Sequence, residues 1–517
     1  MPPLFLIGFM AAGKTSVGRA LAARTGRPFV DLDDAIAALG EPAPQLVARD
    51  EPEFRRREAA ALAQLIAGGG DPVIATGGGA AAYGDNLARM RAAGLVIALG
   101  VDVAEAQRRA RGGTPRPLLA NAEALAAQRA PIYRRAHAVV DTMGKSVEQV
   151  VDSVGDVARA AARAPGATIV ALGERSYPIT VGAALDGDAL RAVFDEPPTR
   201  IAVLTDHNVA RHHRAPLGDL VLEIAPGEAS KSFAVYQQLC GELIARGLDR
   251  GSAIVALGGG VVGDLAGFVA ATLFRGIPVV QLPTTLVAMT DAAIGGKTAI
   301  DAPAGKNLVG AFWQPRLVAC ATDTLLTLPA RERRAGFGEL WRYALLDGRA
   351  LWHAVYACAP WGAAGEGAPP PPELREVIDR AIAYKAAIVG RDERERTGQR
   401  ALLNLGHTIG HAIESATGML HGEAVALGLV AACRVSAAVA GAPAALAGEV
   451  ADALAASGLA NDLDPYLTDP VLDRLAVDKK RIGHKLRFIV IREVGRCEPV
   501  DIAVDEVRRI LRPIRGT

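Results

Sequence analysis

The sequence predicts an α/β protein of several domains, and three local patterns support this prediction. Two glycine-rich loops, residues 8–15 and 258–264, each follow a short apolar run and precede a helical run. This order is typical of βα units in a parallel sheet. Near the C-terminal end, residues 404–423 carry three of the nine histidines. Because 517 residues exceed what one hydrophobic core usually serves, we expect two to four domains.

Composition argues against several classes of protein. The formal charge is +1, with 57 basic and 56 acidic side chains, which disfavours a nucleic-acid or membrane-surface partner. The five cysteines form no C-x-x-C pair, as expected in a reducing cytoplasm without disulfides or a cysteine metal site. No uninterrupted apolar run reaches the ~20 residues of a membrane span, and the start lacks the basic flank of a signal peptide. We therefore expect a cytoplasmic protein.

The first glycine-rich loop, G-F-M-A-A-G-K-T, lies between a predicted strand at residues 4–7 and a helical run at 16–24. The pattern G-x4-G-K-T in this context is a P-loop. Gly8, Gly13 and the helix N-terminus would cradle phosphates, Lys14 would reach the terminal phosphates, and Thr15 would bind Mg²⁺. The alternative is a chance match in a Gly- and Ala-rich chain, which the strand-loop-helix context disfavours. The loop therefore predicts ATP and Mg²⁺ as cofactors.

Further polar patterns follow this loop. A second predicted strand, residues 28–30, ends in Asp31-Leu32-Asp33-Asp34, and carboxylates there can hold Mg²⁺ or a hydroxyl substrate. Arginine- and glycine-containing stretches then occur at residues 54–58, 76–79, 111–119 and 129–133. An arginine run alone is more often a solvated helix face. Together and in this order, the stretches resemble shikimate kinase.

That resemblance assigns roles by position. It implies that Asp31 supports Mg²⁺ and that Asp33 grips shikimate and acts as the catalytic base. Arg55 and Arg129 would bind the shikimate carboxylate, which suits a planar guanidinium. Gly77, Gly78 and Gly79 would let the backbone approach the substrate ring, and Arg116 would belong to a lid that closes over ATP. The family usually has Gly where this chain has Ala11, and Ala at a positive φ costs roughly 1 kcal/mol.

A composition break separates this region from the rest. Residues 157–164 continue a helix of Ala and Arg, and Pro165-Gly166 ends it. We expect a P-loop kinase domain with a parallel sheet at residues 1–163 and a linker at 164–168. A Rossmann-like NAD-binding domain would span 169–325, and a mainly helical metal and substrate domain would span 326–517.

The second glycine-rich loop is a non-standard dinucleotide fingerprint. A predicted strand at residues 200–205 leads to Asp206 and Asn208, and another at 252–257 leads to G-G-G-V-V-G-D. The pattern G-x-G-x-x-G indicates a dinucleotide with moderate strength. The next strand, residues 277–282, is followed by Pro-Thr-Thr, and no acidic residue stands at the usual distance.

Two lysine-containing loops follow, at residues 291–298 and 305–307. Backbone amides and ammonium groups both favour phosphate, so these loops indicate an anion site. The alternative is a pair of exposed lysines in a flexible turn.

The histidine-containing stretch indicates a metal site. His407 and His411 are four residues apart and would share one helix face, while a turn at Thr417-Gly418 could return His421 to that helix. Two histidines and a carboxylate form a usual catalytic zinc set. The alternative is that these histidines are merely exposed or hydrogen-bonded in a core. Three histidines at this spacing make that alternative less favoured. Because Thr408 follows His407, the H-E-x-x-H motif is excluded, and Glu339 is the best candidate for the third ligand.

These elements resemble 3-dehydroquinate synthase. The resemblance is carried by L-N-L-G-H-T-I-G-H-A-I-E, L-H-G-E-A-V-A, G-E-L-W-R-Y and the loop G-G-G-x-x-G-D followed by T-T. It implies Zn²⁺ or Co²⁺ held by Glu339, His407 and His421, with His411 near the substrate. It also implies NAD⁺ bound by a larger set: Asp206, Asn208, Glu228, Lys231, Gly260, Val261, Val262, Gly263, Asp264, Thr284, Thr285, Lys297, Lys306, Thr324, Leu325, Leu326 and Thr327.

The same resemblance implies a polar substrate cage of Arg275, Lys385, Arg400, Asn404 and Lys480. Lys297 and Asn307 would bind the substrate phosphate, Asp291 would influence the redox proton, and His411 would assist elimination. The family usually has Lys three residues after the glutamate ligand, where this chain has Arg342, and the two side chains are not interchangeable.

The resemblances together imply a bifunctional enzyme of the shikimate pathway. One half would phosphorylate shikimate with ATP. The other would convert a heptulosonate phosphate to 3-dehydroquinate and phosphate, using NAD⁺ without net oxidation, in a cleft between the last two domains. A homodimer through this half is expected.

Two alternatives remain. The first is a P-loop kinase fused to a metal-dependent, glycerol-type polyol dehydrogenase, which would accumulate NADH. The second is a non-enzymatic sensor of ATP or NAD, which would have no use for the set of Glu339, His407 and His421.

Overall fold

The computed structural model describes residues 2–37, 43–111, 121–218, 220–475, 481–482 and 485–512. It divides into two compact units. The first comprises residues 1–180 and 386–391, and the second comprises 181–385 and 392–517.

The first unit is built on a five-stranded parallel sheet of order β2-β3-β1-β4-β5. Its strands are β1 Leu4–Gly8, β2 Phe29–Asp31, β3 Val73–Ala75, β4 Leu95–Gly100 and β5 Ala138–Asp141. Its helices are α1 Lys14–Thr25, α2 Leu32–Ala37, α3 Ala43–Arg49, α4 Glu51–Ala67, α5 Asn86–Ala93, α6 Val103–Ala110, α7 Ala122–Arg134 and α8 Val147–Arg163.

Both faces of this sheet are covered, so its strands are continuous apolar runs. Leu4 and Leu6 pack into one buried cluster with α1 and α8, whereas Phe5 and Ile7 pack into another with α4 and α5. The carboxyl ends of β1, β2 and β3 lie at one edge of the sheet because the strands are parallel. This edge is where α/β sheets usually bind ligands.

Helix α8 ends at Arg163, before Pro165, as the composition break predicts. A short antiparallel pair follows, β6 Thr168–Val170 and β7 Tyr177–Gly182.

The second unit contains five parallel strands in the order β14-β11-β10-β8-β9. They are β8 Ile201–Asp206, β9 Leu220–Ile224, β10 Ala253–Gly258, β11 Val279–Pro283 and β14 Leu317–Ala321. Helices α9 Gly187–Arg191, α10 His207–His212, α11 Phe233–Ala245 and α12 Gly260–Thr272 accompany them. The predicted strands are confirmed to within two residues. An antiparallel hairpin, β12 Lys297–Ala302 and β13 Gly305–Phe312, carries both lysine loops.

The rest of the second unit is mainly helical, as predicted. It contains α13 Ala330–Asp347, α14 Arg349–Ala363, part of α15 Leu374–Arg391, α16 His407–Thr417, α17 His421–Ala440, α18 Leu446–Ala456, α19 Asp469–Arg474 and α20 Val504–Leu511. A small antiparallel sheet completes it, formed by β15 Arg481–Ile482, β16 Lys485–Glu493 and β17 Arg496–Ala503. Residues 364–373, which include four consecutive prolines, contain no helix or strand.

Helix α17 is long and apolar enough to cross a membrane by length and composition alone, and no other helix in the described ranges is. The helix contains Glu423 and Arg434, so it is not an uninterrupted apolar run. About two thirds of its apolar window is buried inside the protein (67%), where the helix packs against α13 and α16. The hydrophobic character is therefore that of a core helix.

Glycines let α13, α16 and α17 approach at backbone distance. A Cβ at Gly338 would stand 2.0 Å from the carbonyl oxygen of Gly422, and one at Gly428 would stand 1.9 Å from that of Gly406. Both are sterically forbidden, so only glycine permits this packing. The close approach brings together three helices that each carry a predicted metal ligand.

Candidate functional site

The P-loop adopts the conformation that its sequence predicts. Gly8, Ala11 and Gly13 all have positive φ, of 136°, 59° and 95°, and Gly13 precedes the first turn of α1. Ala11 thus has a left-handed backbone conformation. Alanine in place of the family's usual glycine therefore carries the predicted strain energy. The Nζ of Lys14 donates to the carbonyl oxygens of Gly8 and Phe9 at 3.0 Å, so the ammonium lies over the loop where phosphates would bind.

Carboxylates at the end of β2 face this loop. The hydroxyl of Thr15 donates to Oδ2 of Asp31 at 2.8 Å, which joins the two residues predicted to hold Mg²⁺. Asp33 follows at the solvent-exposed rim. Desolvation and the neighbouring Asp31 raise the pKa of its carboxyl, against the opposing charges of Lys14 and Arg55. A raised pKa suits a group that must accept a proton.

The predicted shikimate-binding residues converge on the loop after β3. A Cβ at Gly79 would stand 2.4 Å from Nη2 of Arg55, and one at Gly78 would stand 3.6 Å from Nη1 of Arg129. A Cβ at Gly77 would stand 3.1 Å from Oδ1 of Asp33. The three glycines therefore keep side-chain atoms out of a space bordered by two guanidinium groups and a carboxylate.

Two residues at this place were not predicted. Glu58 is fully buried and accepts a hydrogen bond from Arg55 Nη1 at 2.7 Å. Burial raises the pKa of its carboxyl against the pull of Arg55. Tyr133 donates its hydroxyl to the carbonyl oxygen of Gly78. The spacing of Arg55 and Glu58 is one helical turn, and this was the available signal for their pairing.

In the second unit, the predicted cofactor residues follow the carboxyl ends of neighbouring parallel strands. Asp206 ends β8, the loop to α12 follows β10, Thr284 follows β11, and residues 324–327 follow β14. Oδ1 of Asp206 accepts from the backbone amides of Asn208 and Val209. These positions form one edge, the usual dinucleotide site of such sheets.

A buried lysine orders part of this edge. The Nζ of Lys231 donates to Oδ2 of Asp264 at 2.8 Å and lies 3.5 Å from Oε1 of Glu228. It also donates to the side-chain oxygen of Asn307. Burial would lower the pKa of Lys231, but the carboxylates of Asp264 and Glu228 outweigh burial and raise it. Four predicted residues from separate parts of the chain thus form one hydrogen-bonded group.

The hairpin lysines extend from β12 and β13. Lys297 forms an ion pair with Glu395, and Lys306 donates to Oε1 of Glu414 at 2.7 Å. Asn307 has a positive φ of 55°, and its amide donates to Oδ1 of Asp301 at 2.8 Å. Both lysines are partly exposed and held by carboxylates, which disfavours the alternative of a flexible turn.

The three histidines and Glu339 meet as predicted. One nitrogen of each of His407, His411 and His421 lies within 4.8 Å of the others. Oε1 of Glu339, which is fully buried, lies 3.5 Å from Nε2 of His407 and 3.3 Å from Nε2 of His421. This oxygen makes no well-aligned hydrogen bond in the described part of the chain. A buried carboxylate oxygen facing two imidazole nitrogens fits a transition-metal cation.

Neighbouring groups orient these imidazoles. Nδ1 of His407 donates to the carbonyl oxygen of Leu405 at 3.1 Å, and Nδ1 of His421 donates to Oε2 of Glu414 at 2.9 Å. These bonds turn the Nε2 atoms of both imidazoles toward Glu339, the arrangement usual around metal-binding histidines. Burial, chiefly, holds the pKa of His407 well below its usual range. For His421, Glu339 and Glu414 outweigh burial and raise the pKa to about 10.

Arg342 is held between two carboxylates next to this cluster. Its Nε donates to Oε2 of Glu339 at 2.6 Å, its Nη2 to Oδ1 of Asp291 at 2.8 Å, and its Nη1 to the carbonyl oxygen of Leu403 at 2.8 Å. All three nitrogens of this buried fork are engaged by the protein.

Asp291 also accepts from the hydroxyl of Tyr343 and from Nζ of Lys385, each at 2.9 Å. Burial raises the pKa of Asp291, but Lys385 and Arg342 outweigh burial and hold it well below its usual range. Burial, aided by Arg400, lowers the pKa of Lys385 to about 8 against the attraction of Asp291. Tyr343 was not predicted, although it directly follows Arg342 in sequence.

The remaining cage residues differ in placement. Arg400 is buried and donates to the carbonyl oxygens of Glu393 and Gly295. Arg275 is exposed with a positive φ of 70°, and no hydrogen bond or ion pair found among the described residues joins it or Asn404 to the others. Arg116 and Lys480 lie outside the described residues, so the predicted lid contact and the fifth cage position stay predictions.

Comparison with known families identifies both parts of the chain. Residues 221–335 match the N-terminal model of 3-dehydroquinate synthase, and residues 336–481 match its C-terminal model. The 3-dehydroquinate synthase of Caulobacter vibrioides is 44% identical over 350 residues, which cover 63% of this chain and 92% of the relative. That of Xylella fastidiosa is 42% identical over 356 residues, covering 65% and 89%. The chain belongs to the 3-dehydroquinate synthase family.

Ahead of this synthase region, residues 10–159 match the shikimate kinase family. The chain is therefore a fusion of a shikimate kinase domain and a 3-dehydroquinate synthase. It is a bifunctional shikimate-pathway enzyme with a kinase and a lyase activity on small molecules. The kinase requires ATP and Mg²⁺, and the synthase binds NAD⁺ and a divalent metal. The polyol dehydrogenase alternative is the weaker one.

A solved 2-deoxy-scyllo-inosose synthase shares the fold of the synthase region. It is 25% identical, covers 67% of this chain and 99% of its own, and has a TM-score of 0.58. That structure is a complex with carbaglucose-6-phosphate, NAD⁺ and Co²⁺. A 2-epi-5-epi-valiolone synthase from Streptomyces hygroscopicus, at 24% identity, 65% and 95% coverage and a TM-score of 0.57, supports the fold alone.

Proposed function

We propose that the two activities reside in two separate centres with the residue roles given below. We place the kinase at residues 1–163, the linker at 164–168, the NAD-binding domain at 169–325 and the metal and substrate domain at 326–517. The observation that carries the proposal is the convergence of distant residues at each centre. Asp33, Arg55 and Arg129 surround Gly77–Gly79, and Glu339 faces His407 and His421.

At the kinase centre, the P-loop amides and Lys14 bind the phosphates of ATP, while Thr15 and Asp31 hold Mg²⁺. Arg55 and Arg129 bind the carboxylate of shikimate. Asp33 accepts the proton of the attacking hydroxyl, and its raised pKa supports this role. Glu58 holds Arg55 by a 2.7 Å hydrogen bond, so the guanidinium is oriented before the substrate arrives.

At the synthase centre, NAD⁺ occupies the carboxyl edge of strands β8, β10, β11 and β14. Asp206, Lys231, Asp264 and the threonines after β11 and β14 line this edge, as the resemblance implies. Lys231 is already fixed by Asp264 and Asn307. The solved inosose synthase complex, which contains NAD⁺, supports this assignment.

Glu339, His407 and His421 would hold Zn²⁺ or Co²⁺ through Oε1 and the two Nε2 atoms. When bound, NAD⁺ supplies a reversible oxidation of a substrate hydroxyl, and the metal polarises the oxygen concerned. Arg342 neutralises Oε2 of Glu339, which keeps the other oxygen available. His411, in the same cluster, lies next to the substrate and assists elimination of phosphate.

The substrate is 3-deoxy-D-arabino-heptulosonate 7-phosphate. Lys297 and Asn307 bind its phosphate, and Lys385, Arg400 and Asn404 bind its polar groups. Lys385, with a pKa lowered to about 8, can exchange a proton near neutral pH, whereas Asp291 stays ionised. Asp291 therefore fixes Lys385 and Arg342 electrostatically while it influences the redox proton.

We also propose that the chain is cytoplasmic and forms a homodimer through its synthase half. The five free cysteines support a reducing compartment. Sedimentation of the purified chain at several concentrations tests the assembly. A single monomeric species throughout would contradict the dimer.

The deciding experiment measures phosphate release from the heptulosonate phosphate by the purified chain, with and without NAD⁺. We expect release only with NAD⁺ and no accumulation of NADH, because the hydride returns to the substrate. Steady NADH accumulation with a polyol, and no phosphate release, would support the dehydrogenase alternative instead.

A further inference from the structure

We propose that Glu414 is a positioning residue that orients the metal ligand His421 and joins it to Lys306 of the β12–β13 hairpin. The inference rests on the proposed metal site and adds a residue that neither the sequence nor the resemblance assigned. Glu414 lies in the last turn of α16, and His421 is the first residue of α17. Its carboxylate therefore spans the turn between the two helices that supply the histidines.

The two oxygens of Glu414 have different partners. Oε2 accepts from Nδ1 of His421 at 2.9 Å, and Oε1 accepts from Nζ of Lys306 at 2.7 Å. The side chain is largely buried, at 13% exposed, so solvent screens these charge-assisted bonds little. One carboxylate thus touches both the metal ligand and the candidate cofactor lysine.

The bond to Nδ1 determines which way the imidazole faces. With Nδ1 held by Glu414, Nε2 faces Oε1 of Glu339, 3.3 Å away. Without Glu414, Nδ1 would lose its partner and the ring could rotate about its side-chain bonds. Partners of this kind typically change metal affinity by roughly 10- to 100-fold.

His407 shows why this dependence concentrates on His421. Nδ1 of His407 is held by a backbone carbonyl, that of Leu405, and its side chain is only 9% exposed. His421 is 34% exposed and depends on a side chain for its orientation. Of the two histidines, His421 is therefore the one whose geometry a single substitution can release.

The experiment measures Co²⁺ binding to the full chain by chelator competition and by the visible absorption of the bound ion. We expect Glu414→Ala to weaken Co²⁺ binding about 10- to 100-fold and to change the absorption spectrum. Glu414→Gln keeps the size and an oxygen acceptor, so its affinity should lie between that of Glu414→Ala and the unaltered chain. Lys306→Met removes only the other partner and should stay within about threefold, because the bond to His421 remains.

Glu449→Gln is the matched control. Glu449 is a carboxylate paired with one cation, Arg349, at 2.8 Å, and it lies on α18, which carries none of the proposed metal ligands. It should bind Co²⁺ unchanged. All four tryptophans, at positions 313, 341, 352 and 361, lie in the synthase region, so their fluorescence verifies that each variant is folded. Should Glu414→Ala not fold, Glu414→Gln decides.

A folded variant that lacks the Glu414 carboxylate yet keeps unaltered Co²⁺ affinity and spectrum would overturn the positioning role. His421→Ala separates this from failure of the metal site itself. If His421→Ala also binds Co²⁺ normally, the proposed ligand set is wrong. If it loses Co²⁺ while Glu414 variants do not, only the positioning role fails.

Discussion

The two centres of this chain differ in how much of their charge is arranged before a ligand binds. In the kinase, Lys14 turns onto two carbonyl oxygens of its own loop, and Asp33 stands at an exposed rim. In the synthase, Glu339 and Arg342 are fully buried and paired, and Asp291 joins Arg342 to Lys385. The P-loop side of the kinase centre is thus completed by its nucleotide, whereas the metal centre of the synthase carries its own compensating charges.

The difference follows from the elements that carry the residues. The phosphate-binding residues of the kinase lie in the loop after β1 and in the first turn of α1, and such loops can adapt to phosphates. Closely packed helices supply the metal residues, with Gly338 and Gly428 permitting backbone contact. We therefore expect substitutions in the kinase centre to affect catalysis, and substitutions in the synthase centre to affect stability as well.

The largest effect is expected for Asp33→Ala. Loss of a general base typically lowers turnover about 10²- to 10⁴-fold, while ATP binding and stability should hardly change because Asp33 lies at the rim. Coupled assays of shikimate phosphorylation and of phosphate release from the heptulosonate phosphate measure both activities. Near-normal kinase turnover would show that Asp33 is not the base.

The buried arginine of the synthase should show the contrasting behaviour. Arg342→Met leaves Glu339 and Asp291 without a shared cation, and breaking a buried pair costs about 3–5 kcal/mol. Arg342→Lys keeps the charge but cannot reproduce three guanidinium hydrogen bonds, so it should lose less. Denaturant unfolding followed by tryptophan fluorescence measures both. If Arg342→Met were as stable as the unaltered chain, the expected difference in stability effects between the two centres would be wrong.

Acid should destabilise the kinase through a buried histidine. Val96 donates its amide to Nδ1 of His137, and burial lowers the pKa of His137 to about 4 from a usual 6.5. Because the unfolded chain binds the proton more readily, this contribution is present above pH 6.5 and is lost as pH falls toward 4. The loss is about 3 kcal/mol.

Because all four tryptophans lie in the synthase region, their fluorescence does not report on the kinase. Amide hydrogen exchange at Val96 between pH 7 and 4.5 measures this loss of stability instead. His137→Asn serves as the control, since it should be less stable at pH 7 yet lose less between the two pH values. Parallel pH dependences of the two chains would exclude His137 as the cause.

The smallest effect concerns the P-loop. Ala11 has a φ of 59°, so Ala11→Gly removes a strain of about 1–2 kcal/mol and adds about 0.5–1 kcal/mol of unfolded-state entropy. A net gain of up to about 1 kcal/mol in kinase stability is expected, with tighter ATP binding. Ala12→Gly is the control: Ala12 is buried and the substitution should destabilise. If Ala11→Gly and Ala12→Gly changed the stability of the kinase in the same direction, backbone strain at Ala11 would be contradicted.

These contrasts also explain what could be predicted from sequence. Strands, the P-loop and the histidine cluster were predictable because each has a local pattern, whereas Glu339, far away in sequence, was assigned through its own motif and the family resemblance. Glu414 was not predictable, because its role depends on Lys306, a distant side chain that meets it only in the fold. Glu58 had a local signal, its spacing from Arg55, but an arginine run is more often a solvated helix face. Arg342 could be noticed as a departure, and Glu339 lies one turn before it on α13, but its other two partners, Asp291 and Leu403, meet it only in the fold.

Restoring metals separately tests the two-centre account most directly. The chain is stripped with a strong chelator, and both activities are then measured after adding Mg²⁺, Zn²⁺ or Co²⁺ alone. We expect Mg²⁺ to restore only shikimate phosphorylation, because it binds through nucleotide oxygens and water. Zn²⁺ or Co²⁺ should restore the synthase, because two imidazoles and a carboxylate favour transition metals. Recovery of synthase activity with Mg²⁺ alone, after verified removal of transition metals, would contradict the assignment of Glu339, His407 and His421.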